Sequence, residues 1–172
     1  LCGYYLTDVM APLKPLLEKE LLWSSREFGI FTGAYGWFNV FLGMLIIGGI
    51  ILDKMGVRFT GKLSTIIMVV GTGLKYWAIS THVLDGKEIL GMNSQAVIAG
   101  LGYAIFGVGV ETAGITVSKI IVKWFKGKEL ALALGVNLAI ARLGAALSLI
   151  VTPALVEPTW TTPIWFGMLL LS

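Results

Sequence analysis

Between Phe28 and Leu52 the chain carries no charged residue at all. A helix needs about 20 mostly apolar residues to cross the hydrocarbon core of a bilayer. This run meets that length, and it is not the only one. Leu63–Ser80 is a second run, with Lys75 inside, and Ala96–Val122 is a third, with Glu111 and Lys119 inside. Leu130–Val156 is a fourth, interrupted by Arg142, and a fifth starts at Pro163. The opening residues LCGYYLTDVMAPL read as the end of a further helix. Charged residues are 13% of the 172, against about 25% in a soluble domain. So few charges cannot cover a globule of this size, which excludes an ordinary cytosolic enzyme and a disordered tail.

Continuously apolar runs select helices over a barrel, whose strands alternate over about 10 residues. The expectation is an all-α membrane protein with parts of six spans, near residues 1–13, 28–52, 63–80, 96–122, 130–156 and 163–172. Neither an initiator Met nor a charged leader and cleavage site is present, so no signal peptide can be assigned, and residues 1–172 read as a fragment. Asp85-Gly86 and, more weakly, Thr60-Gly61 are turn signals between spans. The 22 glycines suit close helix packing in a membrane. A lone cysteine, Cys2, leaves no disulfide framework and no cysteine-cluster metal site. No metal or cofactor is expected, and the net charge of +3 is too small and scattered for a nucleic-acid partner.

Charge on the connections sets an orientation. Lys54, Arg58 and Lys62 outweigh Asp53 in one, and Lys119, Lys123, Lys126 and Lys128 outweigh Glu129 in another. The connections around Lys14–Glu27 and His82–Glu88 are neutral or acidic, and the last holds Glu157 and no base. Rich and poor connections alternate, as in a chain weaving through a bilayer. The positive-inside rule puts the two basic ones in the cytoplasm.

Two charges lie deep in their spans. Glu111 is 11 residues from Val122, about 16 Å along a helix, and Arg142 is 12 residues from Leu130, about 18 Å. Both are measured from the same basic connection, so both sit near the midplane, where a charge faces a wet cavity or a partner. Gly100, Tyr103, Gly107, Glu111, Gly114 and Ser118 form one small and polar stripe beside them. Ala131, Gly135, Ala139, Arg142 and Ala146 form a second, and Thr32, Tyr35, Asn39 and Gly43 a third. The competing expectation is a structural Glu111–Arg142 salt bridge, with the small residues serving helix packing. Lys75, five residues from the outer end of its span, is expected to snorkel toward the interface. No Ser/His/Asp set, phosphate loop or catalytic carboxylate pair is present, so an enzyme is not expected.

The first basic connection places Gly49, Asp53, Lys54, Gly56 and Arg58 at set offsets across a helix–loop–helix turn. This pattern resembles the signature between the second and third helices of the major facilitator superfamily. Val57 departs from it, since a second base is common there, and Ile51 replaces a usual leucine. The runs FGVGVE at 106–111, WFKGKEL at 124–130 and ARLG at 141–144 resemble the fourth and fifth helices of one branch of that superfamily. The branch comprises lysosomal dipeptide transporters and bacterial relatives. Tyr5, Asp8, Tyr35, Trp37 and Asn39 fit the same branch.

The resemblance implies the N-terminal six-helix half of a twelve-helix transporter, completed by a C-terminal half of the same chain, with the substrate between the halves. It implies Glu111 and Arg142 as the acid and base that bind a dipeptide, with Asp8, Tyr35 and Asn39 flanking, and Gly49–Arg58 as a gating motif. It also implies an accessory membrane subunit for the lysosomal members. Tyr103 stands where many proton-coupled members carry an arginine, which favours uniport or facilitated diffusion. The rival expectations are a proton-coupled symporter of an organic anion or sugar, and a non-transporting membrane scaffold or sensor. Short connections and the lack of an Asn-x-Ser/Thr site favour a bacterial inner membrane over a lysosomal one.

Overall fold

A computed structural model of the chain describes residues 1–81, 88–89, 92–125, 127–156 and 162–171. Among these residues seven helices and one two-residue ladder run in the order α1 (Cys2–Asp8), α2 (Lys14–Glu20), α3 (Ser25–Phe41), α4 (Met44–Ser80), β1 (Glu88–Ile89), β2 (Met92–Asn93), α5 (Ser94–Trp124), α6 (Lys128–Leu155) and α7 (Thr162–Leu171). The ladder is antiparallel, with Glu88 opposite Asn93 and Ile89 opposite Met92. The expected connections at Asp85-Gly86 and Lys87, and the residues Lys126 and Glu157, lie outside the described residues.

Among the described residues three helices are long and apolar enough to cross a membrane: Met44–Ser80, Ser94–Trp124 and Glu129–Leu155. The run expected as one span at 28–52 is broken. Helix α3 closes at Leu42, Gly43 takes a left-handed conformation (φ 57°), and α4 starts at once. A second break lies at Gly56 (φ 79°, ψ 171°), which divides α4 into residues 44–55 and 57–80. Thr60-Gly61, expected as a turn, is helical: the turn chemistry is supplied by Gly56, four residues earlier. The connection expected at Lys14–Glu27 also contains a helix, α2, with Pro15 in its first turn. Pro has no amide to satisfy there, so it is tolerated at that position.

The helix starts follow local chemistry. Ser24 and Glu27 form a reciprocal capping box at the start of α3: the Glu27 amide donates to Ser24 Oγ at 3.2 Å, and the Ser24 amide donates to Glu27 Oε2 at 2.8 Å. Asn93 caps α5 by accepting from the Gln95 amide at 3.0 Å. Glu27 also accepts from the Asn93 amide at 2.7 Å, so one carboxylate ties the starts of α3 and α5 together.

The most extensive packing joins α4 to α5, and the 57–80 half of α4 makes its close approaches. A Cβ on Gly102 would lie 2.7 Å from the Lys75 backbone nitrogen, and one on Gly109 would lie 2.6 Å from Met68 Cγ. Gly71 faces the Phe106 backbone at similar range. These contacts need glycine because any side chain would push the helix axes apart. The buried core gathers Leu6, Val9, Met10, Leu13, Leu17, Phe31, Tyr103 and Phe106. Facing outward instead are large apolar side chains such as Phe41, Leu132 and Ile150, an arrangement suited to a hydrocarbon surrounding rather than water.

Candidate functional site

The site is anchored by a contact between α3 and α5. Tyr35 Oη donates to Glu111 Oε1 at 2.7 Å. Gly107, one turn before Glu111, makes this possible: a Cβ there would collide with the Tyr35 carbonyl oxygen. The small residue at 107, expected to line a cavity, is used for helix packing, and that packing brings Tyr35 within reach of the carboxylate. Gly114, one turn beyond Glu111, has nothing within 4 Å of a Cβ and leaves open space.

Around Tyr35 the rings form a continuous cluster. Tyr103 lies 5.4 Å from Tyr35, stacks on Phe31 at 5.1 Å and on Phe106 at 6.0 Å between ring centroids. Its hydroxyl donates to the Thr7 carbonyl of α1. Asn39 is half-buried; its Nδ2 donates to the Tyr35 carbonyl at 3.4 Å, while its Oδ1 is buried with no partner among the described residues.

Arg142 comes from the middle of α6 and is exposed. Among the described residues Glu111 and Arg142 form no ion pair. Asp8, half-buried at the end of α1, lies close enough to Arg142 for the guanidinium charge to act on its carboxyl. Tyr35 and Glu111 thus meet directly, Asn39 joins them through the backbone, and Asp8 of α1 lies near Arg142 of α6 with no ion pair between them among the described residues.

Gly49, Asp53, Lys54, Gly56 and Arg58 lie apart from these groups. Asp53 Oδ1 is 2.6 Å from Lys119 Nζ of α5, and the same ammonium approaches the Leu52 carbonyl at 3.5 Å. A Cβ at Gly49 or Gly56 would meet nothing within 4 Å, so the need for glycine at 56 is conformational rather than spatial. Lys54 and Arg58 are exposed. Two residues outside the expected site take part in its framework. Lys119 is the partner of Asp53; its signal was a base in the lower part of the third apolar run.

The other is Lys75, and here the expectation fails. Lys75 does not snorkel: it is 0% exposed, with Nζ 3.4 Å from the Leu6 carbonyl and over the rings of Tyr103 (4.9 Å) and Phe106 (5.4 Å). Close packing at Gly71 and Gly102 buries its stem against α5 before the head can reach the interface.

The family model of the Major Facilitator Superfamily matches residues 1–171. The chain belongs to the major facilitator superfamily. It is an integral, multi-pass, all-α membrane protein. Among curated relatives it is 30% identical to the lysosomal dipeptide transporter MFSD1 of Danio rerio over 86% of the chain and 29% of that protein. Identity to the Homo sapiens protein of the same name is 27%, again over 86% of the chain and 29% of the relative. A probable chloroplastic anion transporter of Oryza sativa subsp. japonica is 29% identical over 78% of the chain and 22% of its own length. The chain therefore spans less than a third of the length of these relatives. No solved structure matches it.

Proposed function

We propose that the protein contributes the N-terminal half of a transporter for small zwitterions, with dipeptides as the favoured class. The observation that carries this reading is the separation of two intramembrane charges. Glu111 is held by a neutral tyrosine hydroxyl, and among the described residues Arg142 meets no carboxylate at ion-pair distance. A tyrosine orients a carboxylate without neutralising it, so Glu111 keeps its capacity for an ammonium group. A guanidinium binds a carboxylate through two parallel hydrogen bonds. A dipeptide supplies both groups. Asp8 and Asn39 offer flanking polar contacts, the latter through its unpartnered Oδ1.

Alternating access then follows from rocking this half against the C-terminal half, with no coupling ion. The Asp53–Lys119 contact beside Gly56 latches one state at the basic, cytoplasmic face. A bacterial inner membrane suits the short connections; the MFSD1 relatives named above are lysosomal. An accessory subunit is a further possible partner only in the lysosomal setting.

A second reading is a proton-coupled symporter of organic anions, supported by the similarity to the probable chloroplastic anion transporter of rice. In that case Arg142 holds the anion and Glu111 takes the proton. A flux assay of the complete protein in liposomes separates the two. Uptake of dialanine in preference to alanine, unchanged by a pH gradient, supports the zwitterion uniporter. Uptake of a dicarboxylate driven by the gradient supports the symporter, and no flux of either supports a scaffold or sensor.

A further inference from the structure

Helix α1 ends inside the bundle. The Val9 amide reaches back to the Tyr5 carbonyl at 3.0 Å, but the Ala11 amide turns to Asp8 at 3.1 Å and residue 12 is a proline with no amide to give. The two carbonyls between, those of Leu6 and Thr7, take side-chain donors from other helices: Lys75 Nζ from α4 and Tyr103 Oη from α5. Carbonyls at a helix C-terminus lack intrahelical donors and carry the negative end of the helix dipole, which a cation complements. Lys75 has no carboxylate at ion-pair distance among the described residues. Its contacts are that carbonyl and two aromatic faces, which attract an ammonium through their quadrupoles.

We propose that Lys75 is a positioning residue: its ammonium caps the interrupted end of α1, packs on Tyr103, and so fixes the ammonium-binding side of the substrate site formed by Asp8, Tyr35 and Glu111. Asp8 follows the capped Thr7 directly in the chain. Tyr103 touches Tyr35, whose hydroxyl holds Glu111. One buried cation thereby reaches both carboxylates without contacting the substrate. This role rests on the dipeptide reading above; the capping itself does not.

The sign of the effect separates positioning from a field effect. A positive charge near the site repels a ligand's ammonium, so neutralising Lys75 would tighten binding if its field were all that mattered. Loss of positioning weakens binding instead. The test uses the complete protein, with Lys75→Met to remove charge and donors, Lys75→Gln to keep a neutral donor should the first fail to fold, and Lys75→Arg as the conservative rescue. Hydrogen exchange over residues 4–13 reads the cap, and binding of dialanine and N-acetyl-dialanine reads the site.

In Lys75→Met or Lys75→Gln, exchange over residues 4–13 should rise while α6 is unchanged. Dialanine should bind about tenfold or more weakly, the scale of one charge-assisted hydrogen bond. N-acetyl-dialanine, which lacks the ammonium, should change by less than about twofold, as for an uncoupled site. Lys75→Arg should restore both. Unchanged exchange, tighter dialanine binding, or equal weakening of both ligands overturns the proposal. If the wild type binds N-acetyl-dialanine as tightly as dialanine, the dipeptide reading fails, and the link from Lys75 to an ammonium site falls with it; the exchange result then decides the capping alone.

Discussion

The Gly56 turn and the Lys75–Tyr103 junction solve the same problem in opposite surroundings. Each interrupts a helix and each places a lysine beside a helix end. At the turn the break is made by backbone conformation, the space around it is open, and the exposed Lys119 meets the exposed Asp53. At the junction the break is in α1, the packing is glycine-tight, and Lys75 meets a carbonyl and two rings. A carboxylate suffices for an exposed cation because water screens the pair and makes it easy to break, with a typical worth of about 0–1 kcal/mol. An easily broken pair suits the gating role proposed for the turn. A buried cation held by dipoles and rings does not come apart so readily, which suits a fixed frame.

The largest predicted effect tests whether the junction is the rigid element. Gly102→Val puts branched carbons against the Lys75 backbone and should destabilise by about 1–3 kcal/mol or more, as overpacking does. A thermal transition of the complete protein in detergent checks it; an unshifted transition would make the junction as pliable as the turn. Tyr35→Phe comes next. It removes the donor to Glu111 and should cost about 1–3 kcal/mol if the carboxylate is left without a partner. The same thermal measurement, made with and without dialanine, shows whether the ligand replaces the lost hydroxyl.

At the turn, Gly56→Ala should cost about 1–3 kcal/mol because φ 79° and ψ 171° lie in a region nearly confined to glycine. Gly61→Ala is the control: this helical glycine has nothing within 4 Å of a Cβ, and the change should be neutral or stabilising by about 0.5–1 kcal/mol. Equal effects at both positions would show that Gly56 holds no special conformation. The smallest stability change is expected for Asp53→Asn, up to about 1 kcal/mol and less at high salt. Its flux should nevertheless fall, and an unaltered flux would separate the motif from gating.

The tie between α3 and α5 adds a pH dependence outside the membrane. The Asn93 amide, and then the Ser24 cap and Arg26, hold the Glu27 carboxyl below the usual carboxylate range, with burial opposing them. A lowered folded-state value means that the stabilisation is present above the unfolded carboxylate's pKa and is lost as pH falls through the folded value. The acid limb of the thermal stability profile should therefore flatten in Glu27→Gln, and an identical limb would remove Glu27 from the account.

The apolar runs made the membrane helices legible, because a span's length and composition are properties of contiguous sequence. The break at Gly43 was not legible: Gly43, Gly48 and Gly49 lie in one apolar run, and only the packed structure distinguishes the one with φ 57°. Depth along a helix singled out Glu111 and Arg142 but left open whether they pair. The partner that Glu111 does meet is Tyr35, whose reach is set by contact at Gly107 between helices far apart in sequence. Lys75 was misread for the same reason. Its distance from the helix end favours an escape to the interface, whereas glycine-mediated packing closes that route. Lys119 and Asp53, 66 residues apart, carry no local sign of one another.

The central claim is that Glu111 and Arg142 hold opposite ends of one ligand. Binding of dialanine, N-acetyl-dialanine and dialanine amide to the complete wild-type protein and to Glu111→Gln tests it most directly. Each blocked peptide should bind the wild type more weakly by about 1.5–3 kcal/mol, the typical worth of a charged hydrogen bond. Glu111→Gln should weaken dialanine but leave N-acetyl-dialanine nearly unaffected, because the contact it would remove is already gone. Blocked peptides that bind the wild type as well as dialanine would contradict the claim.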